Sequence, residues 1–247
     1  MFTTRRFFYA ASMQSRLLST IPGLIYGYSD RTDGNMRIDT AADLIRPERL
    51  TFFRTRGISP TKTAGCRLVH GTRIQDVPVS EARPLFFDQT DGLLTLDPSR
   101  VLTVTGADCF PVFVVDSKTR ITGLCHAGWR GVRAGIVSEL IQHMRTIYHS
   151  RPENLIAVIG PGIRACHFQV KLDVWSLFPP AQLLKKTEGT FIDLPALLRE
   201  QIIGAGVPTD HLEDSGICTV CDARYFSYRR EKIANIPAQI AYLGWQL

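Results

Sequence analysis

Three side chains stand out by type and setting. His70 lies in Leu68-Val-His-Gly71, Cys109 in Thr105-Gly-Ala-Asp-Cys-Phe-Pro111, and His126 in Leu124-Cys-His-Ala-Gly-Trp-Arg-Gly131. They are 39 and 17 residues apart, too far for a local finger motif, so separate strands must bring them together. Two imidazoles and a thiolate suit zinc, which takes nitrogen at about 2.0–2.1 Å and sulfur at about 2.3 Å. Three protein ligands leave a fourth position for water, as catalytic sites do, and the ion would lower the pKa of that water toward neutrality. Asp108 is adjacent to Cys109 and placed to accept a proton or orient a substrate. The same trio fits a second scheme, with Cys109 as nucleophile and a histidine as its base. In a third, each residue is buried and structural. Spacing alone leaves all three open.

Two further features bear on chemistry. Gly128-Trp-Arg130-Gly131 stands between His126 and a strongly helical pattern, where helix N–H groups beside Arg130 would form an anion site. The alternative is close strand–helix packing with Arg130 in solvent. Cys218-Thr-Val-Cys221 is a CxxC, but a zinc ribbon needs a second matching pair and none is evident. It is read as two buried or half-buried thiols in a strand-like context.

Those side chains need a frame. Strands are expected at Leu24–Ser29, Leu68–Val77 with a break near Gly71, Gly92–Thr95, Val101–Val104, Pro111–Val115, Ile121–Cys125, Ile156–Ile159, Tyr225–Arg229 and Ala238–Leu243. The turn Ser117–Arg120 joins two of them as a hairpin. Helical spacing spans Asp39–Phe53, with Pro47 in its second half, and Leu194–Ile203. The clearest helix follows Gly131, with Val132, Ile136, Val137, Leu140, Ile141, Met144, Ile147 and Tyr148 on one face. Strands outnumber helices without regular βαβ alternation, which predicts an α+β domain with central mixed sheets.

The chain has 247 residues, 45% hydrophobic and 21% charged, in the range of one globular domain. No stretch approaches the roughly 20 apolar residues of a membrane helix, so a soluble protein is expected. The net charge of +6 is scattered rather than gathered in a stripe, which favours small anions over nucleic acid as partners. No convincing signal peptide precedes the six cysteines, and reduced thiols in the cytoplasm are the expectation. Residues 1–21 are basic and free of acids, superficially like an organelle transit peptide. The preferred reading is a short arm, disordered or added by an upstream start codon with Met13 as the true beginning, followed by one catalytic domain over residues 22–247.

Taken together, these motifs resemble the YfiH-type laccase-domain family. Besides the three segments above, Gly27-Tyr-Ser-Asp-Arg31 is similar to its early strand and arginine loop, and Gly34-Asn-Met36 to its Asn-Leu-Gly region. Ile159-Gly-Pro-Gly-Ile163 and Cys166-His-Phe-Gln-Val170 resemble its Gly-Pro and Cys-Tyr-Glu-Val segments, and Cys218 to Arg230 its penultimate motif. The resemblance runs in order from about Leu24 to near the C-terminus. It implies a four-layer α/β/β/α sandwich, distantly related to bacterial deamidase toxins. Members were named multicopper polyphenol oxidases and are now described as purine nucleoside phosphorylases with adenosine deaminase activity. The implied ligands of a catalytic zinc are His70, Cys109 and His126, with copper disfavoured because the chain has only six histidines. The implied partners are phosphate and a purine nucleoside such as adenosine, inosine or methylthioadenosine. Arg31, Asn35, Gly128 and Arg130 are the nominated anion cradle, and Asp108 a proton shuttle. The rival is a cysteine hydrolase or amidase using Cys109 and a histidine, linked to peptidoglycan editing. Three departures bear on substrate range: a shortened loop after Arg31, Leu68 in place of the usual Gln, and Lys232-Ile-Ala-Asn-Ile236 where Thr-Gly-Arg is usual.

Overall fold

A computed structural model describes residues 13–79 and 83–246. In chain order, β1 (Leu24–Tyr28), α1 (Pro47–Thr55), β2 (Thr63–Cys66), β3 (Ile74–Asp76), β4 (Leu85–Phe87), β5 (Gly92–Thr95), β6 (Val101–Gly106), β7 (Phe110–Asp116) and β8 (Thr122–Ala127) lead into α2 (Trp129–Ala134) and α3 (Ile136–Tyr148). β9 (Leu155–Ile159), β10 (Gln169–Val170), α4 (Leu172–Trp175), β11 (Leu183–Lys186), β12 (Gly189–Ile192), α5 (Leu194–Gly204), β13 (Leu212–Asp214), α6 (Tyr228–Glu231) and β14 (Gln239–Trp245) complete it.

β7 explains the architecture. It is apolar at nearly every position, so both its faces must be covered. Phe110, Val112 and Val114 pack with Ile136, Leu140 and Met144 of α3 and Leu198 and Ile202 of α5. Phe113 and Val115 point the other way, onto Leu102 and Val104 of β6 and Leu243 of β14. β7 therefore lies in a sheet between helices and a second sheet. That second sheet, ordered β1-β14-β6-β2-β4, carries Tyr242 and Val101 on its outer face against Phe52 and Phe53 of α1. The sheet of β7 is ordered β13-β9-β7-β8-β5-β3, and a small sheet β10-β12-β11 stands apart. Both large sheets are mixed: β6, β14 and β1 run antiparallel while β2 and β4 run parallel to β6, and β13 and β3 pair parallel at the two edges of the other. The layers are α1, sheet, sheet, α3 with α5. This is the expected α+β four-layer sandwich.

The local differences have plain causes. The expected helix over Asp39–Phe53 becomes a 3₁₀ turn, Ala41–Ile45, and α1, because Pro47 starts a helix readily at its first position but cannot continue one. The long helix after Gly131 is two helices, broken at Gly135, whose φ of +87° is left-handed. Ile147 points outward, leaving the predicted apolar face. Leu68–Gly71 is loop, with the strand confined to Ile74–Asp76, and Tyr225–Arg229 is a loop running into α6. The hairpin of β7 and β8 is as expected.

The N-terminal expectation needs correction in part. Residues 1–12 lie outside the described residues. Met13, Leu18 and Ile21, however, are buried in the core between the sheets. Glu213 accepts bonds from the Ser15 hydroxyl at 2.9 Å and the Leu17 N–H at 2.8 Å. Residues 13–21 are thus part of the domain rather than an arm. Among the described residues no helix is long and apolar enough to cross a membrane.

Candidate metal centre

β6 belongs to one sheet and β7 to the other, so the turn Ala107-Asp108-Cys109 must cross between them. Asp108 makes that crossing with φ +90°, a left-handed conformation that costs a non-glycine residue on the order of 1–3 kcal/mol. Bonds on every side hold it. Its Oδ1 accepts from the Thr219 hydroxyl, its Oδ2 from the Arg229 N–H and its carbonyl from the Ile163 N–H, each at 2.7 Å. Cys109 follows directly and is delivered to the gap between the sheets.

His126 sits near the end of β8, two residues beyond Leu124, and so shares its face, toward the opposite sheet. His70 comes from the loop before β3 with φ +61°. A fully buried carboxylate joins the two histidines. Asp91, just before β5, lies 3.0 Å from His126 Nδ1 and accepts from the N–H groups of His70 at 2.9 Å and Gly71 at 2.8 Å. Its own carbonyl accepts the His126 N–H at 2.7 Å. One side chain therefore fixes the ring of one histidine and the backbone of the other, and it leaves His126 Nε2 available as a ligand.

The result is a trio whose ligand atoms, from His70, Cys109 and His126, all lie within 4.8 Å of one another. Without a metal, Cys109 and His126 shift toward a thiolate–imidazolium pair. Burial alone would push the Cys109 thiol up, but His126 and His70 overcome it and bring it down to about 6. Burial pulls the other way on His126, yet Cys109 and the bond to Asp91 raise it to about 9. Asp91 is held below the usual carboxylate range: burial opposes this, and the bond to His126 and the N–H groups of Gly71 and His70 prevail. A thiolate is the form that binds metal.

Gly128 gives a second indication. A Cβ there would stand 2.7 Å from His70 Cδ2, 3.1 Å from Cys109 Sγ and 3.4 Å from His126 Cε1. The residue without a side chain is the one facing all three ligands. The donor set, its spacing and this Cβ-free wall fit a metal ion.

A cavity of about 460 Å³ opens over the trio. Asp108, Arg37, Trp129, Arg130, Phe168, Tyr228 and Arg229 contribute to its walls. Of the nominated anion cradle, Arg130 lines this cavity and Gly128 abuts the trio. Arg31 and Asn35 are not brought to it. Arg31 pairs with Glu231, bonds the Tyr225 carbonyl and lies over the Phe226 ring. Asn35 accepts through its side-chain oxygen from the N–H groups of Arg37 and Ala238. Both hold backbone near the cavity instead of facing it. Asp108 lines the cavity with both carboxylate oxygens already engaged. Sequence reasoning passed over Asp91, Thr219 and Arg229; the one local signal was a carboxylate standing immediately before the apolar strand β5.

Comparison with known proteins now decides the family. The sequence model of the multi-copper polyphenol oxidoreductase laccase family matches residues 27–240. The chain belongs to this family. It is 33% identical over 194 residues to the purine nucleoside phosphorylase YlmD of Geobacillus stearothermophilus, covering 72% of this chain and 70% of that one. It is 31% identical over 212 residues to a purine nucleoside phosphorylase of Deinococcus radiodurans, covering 83% and 80%. The crystal structure of YlmD superposes with a TM-score of 0.82 at 26% identity, over 92% of this chain and 93% of that one. The Bacillus licheniformis hypothetical protein YfiH shares the fold, with a TM-score of 0.80 at 24% identity over 90% and 93% of the two chains.

Proposed function

We propose that this protein is a zinc-dependent purine nucleoside phosphorylase that also deaminates adenosine, acting in the cytoplasm. The observation that carries the reading is the His70–Cys109–His126 trio under a cavity of about 460 Å³, within the usual ligand-pocket range of roughly 300–1,000 Å³. The names of its relatives support the substrate class.

Zinc is favoured over copper by the donor set. A multicopper centre gathers many imidazoles, and the other histidines are committed elsewhere. His143 faces Asp76, His211 faces the Leu155 carbonyl, His149 caps α3, and His167 stands among cysteines. Zinc held by His70, Cys109 and His126 supplies Lewis-acid polarisation of a substrate atom or a water. The remaining work falls to the chain. Arg130 lies over Trp129, its guanidinium carbon 4.2 Å from the ring centroid, and among the described residues no carboxylate forms an ion pair with it. It is the group best placed to hold phosphate; Arg37 also lines the cavity but is paired with Asp39 at 2.8 Å. Trp129, Phe168 and Tyr228 bring aromatic rings to the cavity wall, where a purine would sit. In phosphorolysis a phosphate oxygen bonds to the anomeric carbon as the glycosidic C–N bond breaks, and the purine leaves with the electron pair and gains a proton. In deamination, water oxygen replaces the amine at purine C6 and ammonia departs. Asp108, engaged on both oxygens, is a positioning residue for Cys109 in this account.

The test is incubation with adenosine, with and without phosphate, and resolution of the products by chromatography. Adenine with ribose 1-phosphate, formed only with phosphate, and inosine or hypoxanthine are expected; neither phosphorolysis nor deamination by metal-loaded protein would overturn the reading. One observation favours a second reading. Asp91, His126 and Cys109 form a carboxylate–imidazole–thiol chain, with the thiol at about 6, as a cysteine hydrolase uses. That enzyme would survive chelation and die on alkylation, whereas the phosphorylase loses turnover with its metal.

A further inference from the structure

A second cluster of soft ligands lies outside the trio. Cys166 and His167, in the segment between β9 and β10, meet Cys218 and Cys221, between β13 and α6. Cys166 Sγ is 3.5 Å from Cys218 Sγ and 3.7 Å from Cys221 Sγ. His167 Nδ1 is 3.2, 3.8 and 3.4 Å from the sulfurs of Cys166, Cys218 and Cys221. Four ligands on a tetrahedral zinc, at about 2.3 Å for sulfur and about 2.0–2.1 Å for nitrogen, place sulfurs roughly 3.8 Å apart and sulfur from nitrogen roughly 3.6 Å apart. The cluster is gathered at nearly those separations. The four groups come in two pairs from segments distant in sequence, Cys166 and Cys218 being 52 residues apart. The pair that the CxxC lacked is therefore Cys166-His167, adjacent residues that no spacing rule would have matched to it.

We propose that Cys166, His167, Cys218 and Cys221 form a second zinc site of closed, structural type. It clamps the loop after β9 to the loop after β13. Four protein ligands complete the tetrahedron and leave no position for substrate, so this site performs no chemistry of its own. Its value is mechanical. Next to Cys218, Thr219 holds the Asp108 carboxylate that sets the turn carrying Cys109. Beside it, the Arg229 guanidinium donates to the carbonyls of His167 and Gln169, both at 2.8 Å. A further pair of backbone bonds, Gly162 N–H to the Ile217 carbonyl and Thr219 N–H to the Gly162 carbonyl, both at 3.2 Å, runs along the same seam. The clamp thereby fixes one wall of the cavity relative to the other.

Metal content and thiol accessibility test this without reference to turnover. The full-length protein, purified with a thiol reductant and without chelator, is assayed by inductively coupled plasma mass spectrometry. Two zinc equivalents are expected in the wild type, and one in each of Cys218→Ser with Cys221→Ser and His70→Ala with His126→Ala. A folded Cys218→Ser/Cys221→Ser protein with undiminished zinc would overturn the proposal, and a loss confined to the His70/His126 variant would leave only the first site. Because that double variant is exposed to misfolding, iodoacetamide labelling of the wild type is the second measurement. Cys166 and Cys221 are exposed, so unliganded they would label at a rate that a chelator does not change. Bound to zinc they should be protected at least tenfold until a chelator is added. Equal labelling rates with and without chelator, or a disulfide among these cysteines in the one-zinc protein, would refute the site.

Discussion

Asp91 is the residue on which the first centre turns. It is buried, spends its acceptors on His126 and on the backbone of His70 and Gly71, and stands behind both imidazole ligands. Partners of this kind set ring orientation, and their loss typically costs about 10–100-fold in metal affinity. Asp91→Asn keeps the shape and should weaken zinc by that amount, read by competition with a chromophoric chelator; wild-type affinity would mean that Asp91 only fills space. Gly128→Ala acts from the opposite side. Its Cβ would press on His70 and Cys109, so metal affinity should again fall about 10–100-fold while the circular dichroism spectrum is retained. An alanine variant with full zinc would remove the steric part of the argument. The trio was legible as candidate ligands because His, Cys and His are conspicuous beside apolar strands, and the fold gathers them within 4.8 Å. Asp91 was not, since a buried carboxylate reads in sequence like any loop acid until its partners are seen.

At the scale of elements, the site depends on segments being held in register by charge as well as by packing. Asp214, at the end of β13, accepts from Arg164 at 2.6 and 2.8 Å and from Arg199 of α5 at 2.7 Å. Burial raises its pKa, but the bond to Arg164, the Gly216 N–H and the two guanidinium charges bring it below the usual value. A folded-state pKa depressed below the unfolded value of about 3.9 gives stability that is fully present above that value. It is lost as pH falls through the folded pKa. The wild type should therefore melt higher than Asp214→Asn at neutral pH, and the gap should shrink below about pH 4; a gap independent of pH in thermal melts would contradict this assignment. Element types with strong periodicity, such as the β7–β8 hairpin and α5, were legible in sequence. Gly135 was passed over because its neighbours keep the helical phase on both sides, and Tyr225–Arg229 looked like a strand because an aromatic-rich loop mimics one. Neither error displaced the trio.

The whole molecule is a sandwich whose two sheets meet at the turn that carries Cys109, and its closure includes residues that composition does not mark as interior. Leu18 is fully buried in the core between the sheets. Leu18→Ala should cost about 2–5 kcal/mol, as large-to-small changes at such sites do, measured by urea unfolding; an unchanged midpoint would return residues 13–21 to the status of an arm. Burial of that segment was illegible because it continues a stretch without acids that carries Arg5 and Arg6, and its four apolar residues are too few to show a period. The four-layer arrangement, by contrast, was implied by the family resemblance, and the topology bears it out. The arrangement matters for the proposed function because it gathers three distant segments into one His–Cys–His cluster under one cavity. The most direct measurement of that claim is phosphate-dependent release of adenine from adenosine by the zinc-loaded wild type beside His70→Ala. The account predicts release that requires phosphate in the wild type and falls by at least about 100-fold, some 2.7 kcal/mol, in the variant. Equal release by both proteins would contradict it.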